Sequence, residues 1–122
     1  MDRVIIKNGD IWLINFEPSR RGEFGKKARP SVVIQSNIAN EILDTVTLIP
    51  ITSDMEQSDE MYILLKPSKL NGLNKPSVVV CSHIYTTIRE RLIKKIGKVN
   101  EQELNGVINA VILHLGIAWH NK

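Results

Sequence analysis

The sequence predicts a mainly β protein closed by a C-terminal α-helix. Short β-branched runs recur between turn signals, which points to a small barrel. The hydrophobic period changes once, near residue 100, from strand-like to helical. The chain has 122 residues, 43% apolar and 24% charged. That is ordinary for a globular domain, too apolar for disorder, and long enough to bury a core.

Asn8-Gly9-Asp10 reads as a turn. Ile11 to Phe16 is apolar on nearly every residue and reads as a central strand. Pro18, Ser19, Gly22 and Gly25 make residues 17–28 a loop, long for so small a protein and therefore a functional candidate. Ser31 to Ser36 reads as the second strand. Asn37 fits the cap of a short helical turn running to Leu43. Thr45 to Ile51 reads as the third strand, and Pro50, lacking an amide donor, predicts an edge or a bulge there. Residues 53–59 form an acidic, polar loop, followed by a short strand from Met61 to Leu65. Pro67 to Pro76, with Asn71-Gly72 inside it, is a loop. Ser77 to Ile84 reads as one strand, residues 87–92 as a helical turn, and Lys94 to Val99 as a last short strand. Leu104, Val107, Ile108, Val111, Ile112 and Leu115 then recur at helical spacing. Asn100 fits the N-cap, Glu103 its capping-box partner, and Gly116 the residue past the C-terminus. Trp119 to Lys122 reads as a tail.

A single cysteine, Cys81, excludes an internal disulfide framework and suits a reducing compartment. No apolar run reaches bilayer length, and the N-terminus lacks the apolar stretch of a signal peptide. A single cytoplasmic domain spanning residues 1–122 is expected. Net charge is +3, but the charges are segregated. Arg20, Arg21, Lys26, Lys27 and Arg29 stand against Glu23 alone; Arg89, Arg91, Lys94, Lys95 and Lys98 stand against Glu90 alone. Asp54, Glu56, Asp59 and Glu60 gather in one acidic stretch. Such a surface either receives a polyanion or is an ordinary solvated one.

The run from Lys26 to Gln35 mounts a cationic cluster on the entrance to a core strand. Pro30 pushes Arg29 toward an extended conformation, making it a positioned charge. A guanidinium grips a phosphate through two parallel hydrogen bonds. Thr52 and Ser53 end the next long strand, where hydroxyls and amides can bind a phosphate oxygen or simply start a loop. His83 falls near a strand end, where an imidazole suits acid or base work, or is satisfied by a backbone carbonyl. The three histidines are not spaced as a metal-ligand set and no cysteine pair exists. The acidic stretch reads as a solvated loop before a Mg²⁺ site. These residues allow a metal-free route with no cofactor. Arg29 stabilises charge developing on a phosphodiester and Thr52 holds a non-bridging oxygen. RNA supplies its own nucleophile, the adjacent 2′-hydroxyl.

Gly9-Asp10-Ile11-Trp12, Glu17-Pro18, Ala28-Arg29-Pro30 running into Val-Val-Ile-Gln, Ile51-Thr52-Ser53, Gly72-Leu73-Asn74-Lys75-Pro76-Ser77-Val78-Val79, Arg91-Leu92 and Ile96-Gly97-Lys98-Val99 stand in this order. The pattern, from about Lys7 to Ile117, resembles that of MazF/PemK-type toxins. The resemblance implies an SH3-like barrel with a C-terminal helix, of the MazF/PemK/CcdB type, acting as a homodimer. It implies a toxin of a type II toxin-antitoxin system: a metal-independent endoribonuclease that cuts single-stranded RNA at short preferred sequences and arrests growth. The 2′-hydroxyl attacks, leaving a 2′,3′-cyclic phosphate and a 5′-hydroxyl, and a cognate antitoxin covers the RNA groove. Arg29 matches the catalytic arginine, Thr52 the catalytic threonine or serine, and Glu23, with a gap, the acidic loop residue. From their own positions, Lys26 and Lys27 read as charges that position the RNA backbone and Ser53 as a further expected RNA contact.

The chain departs from the pattern in two places. Ser82-His83 stands where many members have an acidic residue and then Gln or Pro, and Tyr85 where they have an arginine. Lys27-Ala28 replaces the usual Gly-Gly. His83 is thereby a proton-transfer candidate beside Glu23, Tyr85 a candidate to stack on a base, and an altered base preference is expected. Two alternatives belong to other classes: a CcdB-like inhibitor of DNA gyrase that does no chemistry, and an SH3-like RNA-binding module without cleavage.

Overall fold

The computed structural model describes residues 3–16, 28–54 and 61–117. Along them run β1 (Asp10–Asn15), β2 (Ala28–Val33), α1 (Asn37–Ile42), β3 (Thr45–Thr52), β4 (Tyr62–Leu65), β5 (Ser77–Val80), β6 (Tyr85–Ile88), a 3₁₀ turn (Arg89–Arg91), β7 (Leu92–Lys98) and α2 (Glu101–Leu115). The strand pairings are antiparallel and build two sheets that share β3. One runs β7-β1-β2-β3-β6 and the other β3-β5-β4. This is the mainly β barrel with a C-terminal helix that the sequence predicts.

Strand alternation sends neighbouring residues to opposite faces, and both faces are dry. Ile11, Val32, Ile49 and Ile51 pack with Leu65, Val79, Val107 and Val111 beneath α2. Trp12, Ile14, Val33, Val46 and Leu48 form a second cluster on the other face, with Phe16, Tyr85 and Leu92 packed against it. That two-sided burial is why β1 and β3 read as nearly continuous apolar runs.

α2 starts where its sequence says. Glu103 N donates to Asn100 Oδ1 at 2.7 Å, and Asn100 N donates to Glu103 Oε1 at 2.8 Å, closing the capping box. Gly116 ends the helix at φ 71°. Val107 and Val111 are buried and Leu104, Ile108 and Ile112 half-buried, whereas Leu115 is 56% exposed, so the apolar stripe outruns the barrel beneath it.

Several local expectations are corrected. The helical turn α1 is capped by Ser36, whose Oγ accepts from Ala39 N at 3.1 Å; Asn37 is its first residue and instead accepts from Asn8 N. β2 begins at Ala28, three residues before the expected start, so Arg29 and Pro30 lie inside the strand. Of the edge or bulge expected at Pro50, the edge is not found, since β3 is central. Thr47 O accepts from Ile34 N on the β2 side, and alternation turns Pro50 to the opposite edge. There β3 passes from its β6 partner, ending at Leu48, to its β5 partner, beginning at Ile51. The missing amide of Pro50 falls in that handover. The expected strand 77–84 ends at Val80, turns at Cys81 and Ser82, and restarts as β6 at Tyr85. Buried Cys81 continues the apolar run, so no turn signal marks the break.

The 66–76 loop is held down by one buried amide. Asn71 Oδ1 accepts from Ser68 N at 3.0 Å and Leu73 N at 2.9 Å, and its Nδ2 donates to Lys66 O at 2.8 Å. Next to it, Gly72 sits at φ 69°, where a Cβ would lie 2.1 Å from Ile96 O. Only glycine fits this approach of the loop to β7.

Candidate active-site face

The register of β2 on β3 decides the site. Ser31 lies opposite Pro50, Val32 opposite Ile49 and Val33 opposite Leu48. Hydrogen-bonded pairing stops at Ser31 and Pro50. Carried two residues further, the same register sets Arg29 across from Thr52. Arg29 also lies opposite Ile14 of β1, and Ser31 opposite Trp12. Arg29 and Thr52 therefore share the face of the second cluster, away from α2. Arg29 and Thr52 are each half-buried, in the stretch where the pairing of β2 with β3 has ended.

Thr52 closes the turn that follows β3. Asp54 N donates to Thr52 Oγ1 at 3.0 Å. The bond takes one lone pair of the hydroxyl and leaves its proton able to donate elsewhere. Ser53 is exposed beside it. Glu23, Lys26 and Lys27 lie outside the described residues, as does the acidic stretch beyond Asp54.

His83 is not near the end of a continuous strand. It stands exposed on the β5–β6 turn, its N–H donating to Val80 O at 2.9 Å. That turn lies on the edge of β3 opposite β2, on the other side of β3 from Arg29. Tyr85 is half-buried at the start of β6, opposite Leu48. Its hydroxyl lies 2.7 Å from Ser31 Oγ. Its ring centroid is 5.3 Å from that of Phe16, with the planes tilted by 44°. Burial pushes its phenol up to about 12, opposed by the bond to Ser31. Ser31 went unnoticed in the sequence, although its place two residues after Arg29 puts it on the same face.

The second basic block is partly structural. Arg89 donates to Asn40 O at 2.9 Å and to Val4 O, tying the N-terminal segment to α1. Lys95 pairs with buried Asp10 at 3.2 Å. Asp10 also accepts from Lys7 N at 2.9 Å and Trp12 Nε1 at 3.3 Å. The Gly9-Asp10-Ile11-Trp12 pattern is thus a fold signature, a turn closed by its own carboxylate.

A family model described as "PemK-like, MazF-like toxin of type II toxin-antitoxin system" matches residues 7–115. The chain belongs to this family. Among curated relatives, "Endoribonuclease MazF9" of Mycobacterium tuberculosis is 28% identical over 118 residues, 93% of this chain and 98% of that protein. Solved structures of the family share the fold. "Mycobacterium tuberculosis toxin MazF-mt6" superposes with a TM-score of 0.73 at 24% identity, covering 90% of this chain and 99% of the other. The MazE-MazF crystal structure (Form-II) from Deinococcus radiodurans gives a TM-score of 0.77 at 22% identity, covering 95% and 100%. One neighbour, at a TM-score of 0.73, 19% identity and coverage of 96% and 99%, is an "Endoribonuclease in complex with its cognate antitoxin from Mycobacterial species". Among the described residues no helix is long and apolar enough to cross a membrane.

Proposed function

We propose that this chain is an endoribonuclease toxin that cuts single-stranded RNA through attack of the RNA's own 2′-hydroxyl. The observation that supports the reading is the β2–β3 register, Ser31 opposite Pro50, which when extended by two residues would bring Arg29 across from Thr52 on the face away from α2. In the transition state negative charge grows on the non-bridging oxygens of the phosphorus. Arg29 faces that charge with a fixed guanidinium, and Thr52 donates its free hydroxyl proton to one oxygen. No metal and no cofactor enters the step. The 2′-hydroxyl must lose a proton and the 5′-oxygen must gain one; His83, exposed on its turn, and Glu23 are the candidates for that exchange. The products are a 2′,3′-cyclic phosphate and a 5′-hydroxyl. Lys26, Lys27 and Ser53 hold the strand through its phosphates.

A homodimer and neutralisation by a cognate antitoxin belong to the same reading, with growth arrest when the toxin acts alone in the cytoplasm. Exposed Ile38 and Ile42 on α1 and Leu113 on α2 offer apolar surface for such partners. The name of the MazF9 relative and the antitoxin complex among the neighbours support it.

Arg29→Ala tests the reading. The variant should keep the wild-type circular dichroism spectrum and lose about 10²–10³-fold in cleavage rate, as expected for one preorganised charge stabiliser. A variant that cuts RNA at the wild-type rate would sink the role given to Arg29.

A further inference from the structure

The Ser31–Tyr85 hydroxyl pair is a polar feature of this face that the proposed chemistry does not use. Ser31 sits on β2 between Arg29 and Val33 and is 0% exposed. Tyr85 starts β6, on the far side of β3, and opposes Leu48. Its side chain therefore reaches across β3 to meet Ser31 at 2.7 Å. That reach ends one same-face position from Arg29 along β2 and beside Pro50, the position before Thr52 on the same face of β3.

The distance suits either hydroxyl as donor, but burial decides. Among the described residues Tyr85 is the side-chain partner of Ser31. A fully buried hydroxyl that accepted from Tyr85 would leave its own proton with no acceptor, at a steep desolvation penalty. Ser31 escapes that penalty by donating to the phenol oxygen. Tyr85 as a whole is only half-buried, and accepting from Ser31 leaves its own proton available for a second acceptor.

We infer that Ser31 is a positioning residue which, by donating its buried proton to Tyr85, aims the phenolic O–H of Tyr85 at an acceptor oxygen of the bound RNA strand beside Arg29 and Thr52. Tyr85 is then a hydrogen-bond donor to the strand's phosphate rather than a stacking platform. Its ring is already committed to Phe16 and the second cluster. With the phenol pushed up to about 12, the donor keeps its proton at any working pH. The device rests on the ribonuclease reading for its ligand and adds a neutral third contact beside a cation and an aliphatic hydroxyl.

The test uses an RNA with one cleavage site, and the same strand carrying a 2′-deoxy sugar at that site as an uncleavable ligand for binding. Tyr85→Phe keeps the ring and removes the donor. Ser31→Ala keeps the phenol and removes what aims it. Tyr85→Phe should weaken binding of the uncleavable strand and lower kcat/KM about tenfold to a hundredfold, the range for a donor to a charged oxygen. Ser31→Ala should fall between Tyr85→Phe and wild type, and the double variant should match Tyr85→Phe, since Ser31 acts through Tyr85. A structural role alone would lower the melting temperature and leave the folded protein's affinity for the strand unchanged. Tyr85→Phe within twofold of wild type in affinity, or losses that simply add in the double variant, would overturn the inference. If wild-type protein binds the strand but cuts no RNA, the ribonuclease reading fails and the binding series still decides Tyr85.

Discussion

Thr52→Val removes one hydrogen bond of the fold and the donor that the proposed mechanism gives to the phosphate, and it separates the two contributions. The substitution keeps the side chain's shape and its β-branched fit to the end of β3. It deletes the acceptor that takes Asp54 N–H at 3.0 Å and the proton that the same bond leaves for a ligand. The turn bond is exposed, so its loss should lower stability by about 0.5 kcal/mol, the low end for a neutral bond. In the proposed mechanism the lost donor would face a charged phosphate, where a hydrogen bond is worth about 1.5–3 kcal/mol. The loss should appear in kcat/KM as a drop of about 10- to 150-fold. Thr52→Ser restores the hydroxyl and should recover activity to within about fivefold of wild type. Urea unfolding reads the first contribution, and initial rates on a fluorogenic single-site RNA read the second. Thr52→Val with kcat/KM within twofold of wild type would refute the reasoning, whatever its stability.

Two further outcomes test the frame around the site. Asn71→Ala deletes three hydrogen bonds of a 1%-exposed amide and should lower unfolding free energy by about 3 kcal/mol at about 1 kcal/mol each; a loss under about 1 kcal/mol in urea would show that the loop is not held this way. The phenol of Tyr85 is raised from 10.0 to about 12 in the folded protein, so the native state holds that proton more tightly than the unfolded chain. Its contribution is intact below about pH 10 and is lost as pH rises toward about 12; the urea midpoint should fall over that window, and should fall less in Tyr85→Phe.

Much of the barrel is legible because its signals are local. The capping box of α2 needs only Asn100 and Glu103 at the right spacing, and the apolar stripe of α2 needs only its period. The break after β5 was hidden because Val80 and Cys81 are both buried and neither is a turn former. Pro50 signals an interruption in the pairing of β3, but that the interruption is a change of partner resides in β5 and β6 rather than in β3. At the site, the sequence names Arg29 and Thr52 one at a time, but whether they lie near each other is a matter of register between strands, which sequence alone does not carry. Ser31 had no signal of its own; it matters only because Tyr85 reaches it from another strand. The basic block at 89–98 overstated the ligand surface, since Arg89 and Lys95 are engaged by the fold itself.

The central claim is that the strand's own 2′-hydroxyl cuts it, with Arg29 and Thr52 stabilising the charge that develops. The most direct measurement incubates the protein in EDTA with an RNA whose cut site has been mapped, beside the same RNA carrying a single 2′-deoxy sugar at that site. The account predicts 2′,3′-cyclic phosphate and 5′-hydroxyl ends from the first strand and an intact second strand. Cleavage of the deoxy-substituted strand at that position, or a cut that appears only when a divalent metal is restored, would contradict it.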